Sequence, residues 1–217
     1  MITLSTILLA DFFVFNIINT VLCIAGLAGA CCGIYLYLWK LLQRRRKYPL
    51  HDAVRKENFE KIQQIIQEGQ HNVNEQDPNN NNETSLHIAA NLGNLEICGY
   101  LIDQGADVQI GNEFSETALH YAAENGYLEV CRLLLKHGAK ADARESEQRT
   151  TLHQASEEGY IAVCRLLLEH GADSALTEEE HLTPYELAEK NKLDKQTLSE
   201  LAKILYIPEK KKESNSS

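Results

Sequence analysis

The sequence repeats itself at a period of 33 residues, and this regularity constrains the fold more than any other feature. The block Thr84-Ser85-Leu86-His87-Ile88-Ala89 returns at 117–122 and 150–155, and more loosely at 183–188. Blocks that begin at Leu95 and Gly105 recur in the same register. A period of roughly 20–50 residues is typical of a solenoid, in which each unit buries its apolar face only against its neighbours.

Local chemistry predicts two helices in each unit. Threonine caps helix N-termini well, so a short first helix begins after the threonine of each block. Glycine takes the left-handed turn that ends this helix, at Gly93, Gly126 and Gly159. A second, apolar helix follows, Leu128–Lys136 in the third unit, and a polar segment returns the chain to the next threonine. The capping residues are Thr84, Thr117, Thr150 and Thr183.

The three blocks, recurring in phase, resemble the ankyrin repeat family. The resemblance covers about residues 48–207 and implies five repeats. It also implies an all-α solenoid with β-hairpin fingers and a concave face that binds other proteins. The expected repeats are 48–83, 84–116, 117–149, 150–182 and 183–207.

The resemblance assigns a structural role to the histidine of each block. In the family this residue makes hydrogen bonds between repeats, and here it is His51, His87, His120 and His153. The fifth repeat has Glu186 instead, which suits a terminal unit. Glu57 and Lys192 replace the helix-ending glycine in the two outer repeats, so both ends are expected to be atypical.

The hairpin turns depart from the family pattern. The usual turn glycine is replaced by Asn82, Ser115, Gln148 and His181. Asparagine tolerates positive φ, but the other three residue types do so less well. We therefore expect looser or differently shaped fingertips.

The segment before the repeats has the composition of a membrane anchor. Residues 1–39 hold 29 apolar residues and one charge, Asp11, and five basic residues follow within 40–47. We place a transmembrane helix at 17–39, after an apolar segment 1–16 and before the basic collar 40–47. The positive-inside rule puts the N-terminus outside and the repeats in the cytoplasm, while the tail 208–217 is expected to be disordered.

Two alternatives remain open for this N-terminal segment. Ala28-Gly29-Ala30 resembles a signal-peptide cleavage site, although no basic residue precedes the apolar run. Gly26, Gly29 and Gly33 place small residues on nearly one face of the predicted helix, which favours close helix packing and a possible membrane homodimer.

The sequence predicts no enzymatic chemistry. It contains none of the common catalytic or nucleotide-binding motifs, so no catalytic residue, metal or cofactor is expected. Cys98, Cys131 and Cys164 lie one repeat apart, too far for an unstrained disulfide, and are expected to be reduced thiols. Residues 48–217 carry 16 basic and 30 acidic residues, which excludes nucleic acid as an expected partner.

The acidic excess gathers where ankyrin repeats contact their partners. The fingertip and first-helix positions carry mostly glutamate, and we predict that this groove binds a protein with a basic segment. Leu92 and Phe114 are the expected apolar contacts. The predicted partner-binding residues are Leu92, Glu113, Phe114, Glu116, Glu124, Glu147, Glu157, Glu158, Glu179 and Glu180.

These features predict a membrane-anchored, non-enzymatic scaffold for protein–protein interaction. One alternative is a transmembrane signalling subunit that dimerises through Gly29 and Gly33. Another, by family resemblance, is a bacterial effector inserted into host membranes.

Overall fold

The computed structural model describes residues 48–69 and 71–205. The predicted segments 1–16, 17–39 and 40–47, with Gly26, Gly29 and Gly33, lie outside the described residues, as does the predicted tail 208–217. No helix in the described part of the chain is long and apolar enough to cross a membrane.

Each predicted repeat contains a pair of helices. The first helix of each pair spans seven residues, and the second spans nine, or eleven in the last repeat. The first helices are α1 (Pro49–Arg55), α3 (Ser85–Asn91), α5 (Ala118–Glu124), α7 (Thr151–Glu157) and α9 (Pro184–Lys190). The second helices are α2 (Phe59–Gln67), α4 (Leu95–Asp103), α6 (Leu128–Lys136), α8 (Ile161–Glu169) and α10 (Lys195–Leu205).

The helices stack in two layers. The first helices pack in chain order from α1 to α9, and the second helices pack in order from α4 to α10. Phe59 of α2 meets Tyr100 of α4 edge to face, with ring centroids 5.3 Å apart. Leucine, isoleucine and alanine side chains from both layers form one continuous core, as expected for repeats that bury apolar surface against their neighbours.

The predicted β-hairpin fingers are not strands. The described residues contain only two isolated antiparallel bridges, Asp77 with Glu83 and Arg144 with Thr150. Each finger is too short to build a ladder, because the chain turns back after one or two backbone hydrogen bonds. In the finger 112–116, for example, Asn112 N–H donates to Glu116 C=O over 2.9 Å. The described part of the chain is therefore all-α.

The block threonine and histidine form the junction between repeats. Thr84 begins α3 as its N-cap, and its backbone N–H donates to His87 Nδ1 over 3.1 Å. Since Nδ1 accepts, the ring proton lies on Nε2, which donates over 2.9 Å to the carbonyl of Glu116, the residue directly before the Thr117 that begins the next repeat. His120 and His153 repeat this arrangement, and His51 Nε2 bonds to the carbonyl of Glu83. The structural role implied for these four histidines is confirmed.

Glu186 keeps one half of this junction. Its Oε2 accepts from both the backbone N–H and the hydroxyl of Thr183, so α9 has the same kind of cap as α3, α5 and α7. An ionised carboxylate has no proton to donate to a further carbonyl. The residue type therefore suits the last of the described repeats.

The first and last described repeats have the same helix-ending turn as the inner repeats, although neither has glycine there. Glu57 and Lys192 have φ of 51° and 59°, in the left-handed region that glycine occupies at Gly93 with φ of 69°. At Gly93 a side chain would meet a second obstacle, because a Cβ would lie 2.7 Å from Cε1 of Tyr127. The inner repeats thus require glycine for packing as well as for backbone conformation.

The three predicted thiols are buried in the second-helix layer. Cys98, Cys131 and Cys164 are free and fully buried. Burial raises the pKa of the Cys98 and Cys131 thiols to about 12 and that of Cys164 to about 11. These side chains are neutral at physiological pH and act as small apolar residues.

The buried histidines predict a loss of stability in acid. Burial lowers the pKa of His120 from 6.5 to about 4, so its contribution is complete above pH 6.5 and is lost as the pH falls toward 4. We expect the stability advantage of the wild type over His120→Gln to shrink by about 2 kcal/mol between pH 7 and pH 4.5. Urea unfolding of both proteins at the two pH values measures this difference, and an unchanged advantage would contradict the assignment.

Candidate functional site

Three similar fingers precede α5, α7 and α9, and a polar side chain holds each of them closed. We call residues 112–116, 145–149 and 178–182 fingers 1, 2 and 3. In finger 2, the Glu145 carboxylate accepts from the backbone N–H groups of Glu147 and Arg149, both over 3.0 Å. Asn112 Oδ1 makes the equivalent pair of bonds in finger 1, and the Glu178 carboxylate makes it in finger 3. These two glutamates are therefore structural parts of the fingers.

The paired hydrogen bonds that one side chain accepts within a finger, which we call the clamp, explain the shape of the fingertips. Ser115, Gln148 and His181 lie between the two clamped N–H groups, with φ of 64°, 62° and 65°. Asn82 adopts 55° in the longer loop before α3. The expectation of differently shaped tips was wrong, because all four residues adopt the left-handed conformation of the glycine they replace. The left-handed conformation costs an L-residue about 1–2 kcal/mol, which the paired hydrogen bonds offset.

Neighbouring fingers are joined by backbone hydrogen bonds. Ser146 N–H donates to the carbonyl of Phe114 over 2.8 Å, and Glu179 N–H donates to the carbonyl of Glu147 over 3.1 Å. Glu113 N–H is bonded in the same way to the carbonyl of Asn81. The backbones of these predicted contact residues are therefore fixed within the array, while the side chains of Glu113, Phe114, Glu147 and Glu179 are exposed.

Fingers 1 and 2 form a cleft with the ends of α5 and α7. The cleft has a volume of ≈ 320 Å³. The structure places six of the ten predicted contact residues in its lining: Phe114, Glu116, Glu124, Glu147, Glu157 and Glu158. The remaining lining residues are Glu145, Ser146, Arg149 and Gln154.

The cleft is strongly acidic. Among the described residues, its lining holds six glutamates and a single cation, Arg149. Partial burial, together with the charges of Glu116 and Glu158, raises the pKa of the Glu124 carboxyl. Several negative charges therefore act on one another across the cleft, and a cation that enters it lowers the repulsion.

Not all of these carboxylates are unpaired. Arg149 forms an ion pair with Glu157, which also accepts from Asn191 Nδ2. Glu116 Oε2 accepts from Asn112 Nδ2 over 2.8 Å. The side-chain carboxylates of the cleft that make no ion pair or hydrogen bond with the described residues are those of Glu124, Glu147 and Glu158.

Four predicted contact residues lie outside the cleft lining. Leu92 is 40% exposed at the end of α3, and Glu113 and Glu179 lie at the tips of fingers 1 and 3. Glu180 is ion-paired with Lys190. That these four side chains contact a partner over a wider surface stays a prediction.

Sequence reasoning did not single out Gln154, which lines the cleft from within α7. The same position of the first helix is Ile88, Tyr121 and Leu187 in three other repeats. The first repeat also has a polar residue at this position, Asp52, so the sequence pattern alone did not single out Gln154. Gln154 is 8% exposed, and its Oε1 accepts no hydrogen bond from the described residues.

A second polar network lies next to the cleft. The Tyr121 hydroxyl donates to Glu83 Oε1 over 2.9 Å and accepts from Asn112 Nδ2 over 3.1 Å. Burial and the neighbouring Glu83 carboxylate raise the pKa of Tyr121. Asn112 thus joins the clamp of finger 1 to α5, which holds Phe114 and Glu116 in position beside Glu124.

The arrangement offers acceptors and one aromatic ring but no catalytic geometry. No group of histidine, cysteine or acidic side chains within the described ranges is arranged to hold a metal ion. The buried histidines serve the repeat junctions, and the buried thiols are protonated. The chemistry that the cleft supports is the binding of a positively charged group.

Comparison with protein families agrees with the fold. The family model described as ankyrin repeats (3 copies) matches residues 22–112 and 93–178. These matches cover more than half of the chain, and the chain belongs to the ankyrin repeat family. Members of this family generally act as non-enzymatic scaffolds for protein–protein interaction. No curated protein matches the chain.

The finger clamp predicts different roles for two neighbouring glutamates. Glu145→Ala removes a buried carboxylate that accepts two backbone N–H groups, and we expect it to lower the free energy of unfolding by about 2 kcal/mol. Glu147→Ala changes an exposed side chain and should alter the free energy of unfolding by less than about 0.5 kcal/mol. Urea unfolding measures both.

A second substitution tests the reason for the loss. Adding Gln148→Gly to Glu145→Ala should recover about 1 kcal/mol, because glycine adopts the left-handed tip without the clamp. If Glu145→Ala and Glu147→Ala lower the free energy of unfolding equally, Glu145 does not hold the finger.

Proposed function

We propose that this protein is a membrane-anchored, non-enzymatic scaffold whose acidic cleft binds a basic segment of a partner protein. The single observation that carries the proposal is the convergence of Glu124, Glu147 and Glu158 on one cleft, where their carboxylates have no partner among the described residues. Like charges brought together at a cost to stability are typical of a binding surface.

The surroundings of the cleft support a protein as the partner. Phe114 is 44% exposed in the lining, and aromatic side chains contribute strongly to protein interfaces. The fingers that carry the acidic residues are joined to each other and closed by internal hydrogen bonds, so little conformational entropy is lost on binding. A basic segment would find the acceptors already in position.

The membrane part of the proposal rests on composition. Residues 17–39 are apolar, and Lys40, Arg44, Arg45, Arg46 and Lys47 follow at once. The charge asymmetry supports a single-pass protein with its N-terminus outside and its repeats in the cytoplasm. An anchored array would hold its partner near the bilayer and raise the effective concentration of that partner there.

Neutralising the unpaired carboxylates tests the acidic cleft. We expect the full-length variant Glu124→Gln, Glu147→Gln, Glu158→Gln to bind a fluorescein-labelled nona-lysine peptide at least about tenfold more weakly than the wild type. Fluorescence anisotropy in detergent micelles at physiological ionic strength measures the dissociation constant.

A matched variant controls for net charge. Glu60→Gln, Glu96→Gln, Glu169→Gln removes the same charge from exposed positions of the second helices, and it should bind the peptide as the wild type does. If both triple variants lose affinity equally, the cleft has no special role.

Membrane anchoring predicts resistance to alkaline extraction. The full-length chain should stay in the membrane pellet after carbonate treatment, because about 20 apolar residues suffice to span the hydrocarbon. Leu27→Arg with Ile34→Arg should move it to the supernatant, since each arginine at the centre of a span costs about 3 kcal/mol. Recovery of the wild type in the supernatant would refute the anchor.

A further inference from the structure

Gln154 gives the cleft a feature that a merely acidic surface does not need. Its side chain projects from α7, where other repeats place Ile88 or Leu187. The residue is more than nine-tenths buried, yet Oε1 accepts no hydrogen bond from any described residue. A buried acceptor without a donor costs about 1–3 kcal/mol. An amide oxygen left in this state within the lining of a cleft points to a donor that arrives with a ligand.

We infer that the cleft binds an arginine side chain of the partner, which pairs with Glu124 and Glu158, donates to Gln154 Oε1 and stacks on Phe114. This inference rests on the proposed function and names the residue that the basic segment inserts. The Gln154 side chain lies in the lining with its Oε1 buried, so binding would require its terminal torsions to turn Oε1 toward the guanidinium.

The mixture of acceptors favours arginine over lysine. The acceptors comprise carboxylates at the ends of two helices and a neutral amide oxygen within one of them. A guanidinium spreads five N–H donors over a rigid plane, whereas an ammonium offers three donors around one point. The guanidinium is also more weakly hydrated, so it loses less on entering a partly buried site.

Phe114 is a second feature of the cleft that favours arginine over lysine. The residue is 44% exposed and lies in the lining with the carboxylates. Arginine stacks on an aromatic face more often than lysine does, through its flat and delocalised charge.

The chain itself shows that a guanidinium suits this environment. Arg149 lies in the same lining and pairs with Glu157. Its Nε is buried and donates to no described acceptor, so this internal pair uses only part of the arginine's donors. Glu124 and Glu158 keep their carboxylates for a second cation.

Paired peptides test the inference. The full-length protein in detergent micelles is titrated into fluorescein-labelled nona-arginine and nona-lysine, which carry equal charge, and anisotropy gives both dissociation constants. We expect nona-arginine to bind about tenfold more tightly. Gln154→Leu keeps the charge of the cleft and should reduce this preference to less than about twofold.

Control variants separate the amide from the fold. Leu187 fills the same position in α9, so Gln154→Leu should fold, and circular dichroism checks this. Gln154→Ile introduces the residue type that α3 has at Ile88 and serves as a second variant. Gln104→Leu removes an exposed glutamine at the end of α4 and should keep the full preference for arginine.

The outcomes distinguish this inference from the proposed function. A preference for arginine that disappears with Gln154→Leu supports the inference. Equal binding of both peptides, or a preference that survives both substitutions of Gln154, overturns it and leaves the acidic cleft as a general cation site. Failure of both peptides to bind overturns the proposed function as well.

Discussion

The structure depends on one hydrogen-bonded junction, repeated along the array. In each inner repeat the histidine accepts from the threonine that caps its own helix and donates to a carbonyl in the finger or loop that leads to the following repeat. Only the neutral ring with its proton on Nε2 can do both, and burial keeps the ring neutral by lowering its pKa. The first helix is thereby joined to the finger or loop that leads to the next repeat. In the last of the described repeats, Glu186 keeps the threonine cap.

The junction has a direct consequence for the cleft. His87 bonds to the carbonyl of Glu116, so the junction itself holds the end of finger 1. Clamps at Asn112 and Glu145 then close fingers 1 and 2, and a backbone bond from Ser146 to Phe114 joins them. Cleft side chains are thus presented by fingers whose backbones are hydrogen-bonded within the array. We propose that the unpaired carboxylates and the buried Gln154 oxygen of this cleft serve a ligand.

The sequence predicted the features that repeat and missed those that occur once. The helix pairs, threonine caps and structural histidines were all predictable, because the same chemistry appears in phase several times.

The cleft was predicted in part, since the family positions of Phe114, Glu124 and Glu158 could be carried over. The ion pair between Glu157 and Arg149 could not be predicted from the sequence, because it joins a fingertip to a helix end and depends on side-chain conformations. Gln154 differs from Ile88, Tyr121 and Leu187 at the same repeat position, but so does Asp52, and the missing hydrogen bond of Gln154 depends on its atomic surroundings. The fingertip shape was mispredicted because propensity at Gln148 was weighed without the clamp from Glu145.

The central claim is that the cleft between fingers 1 and 2 is where a cation binds. Chemical-shift mapping of the full-length protein, labelled with ¹⁵N and titrated with nona-arginine, tests it most directly. Binding at the cleft predicts the largest shifts at the Gln154 side-chain amide and at the backbone of Phe114 and Arg149, with little change along α4, α6 and α8. Shifts spread evenly over the acidic surface, or confined to the second helices, would contradict it.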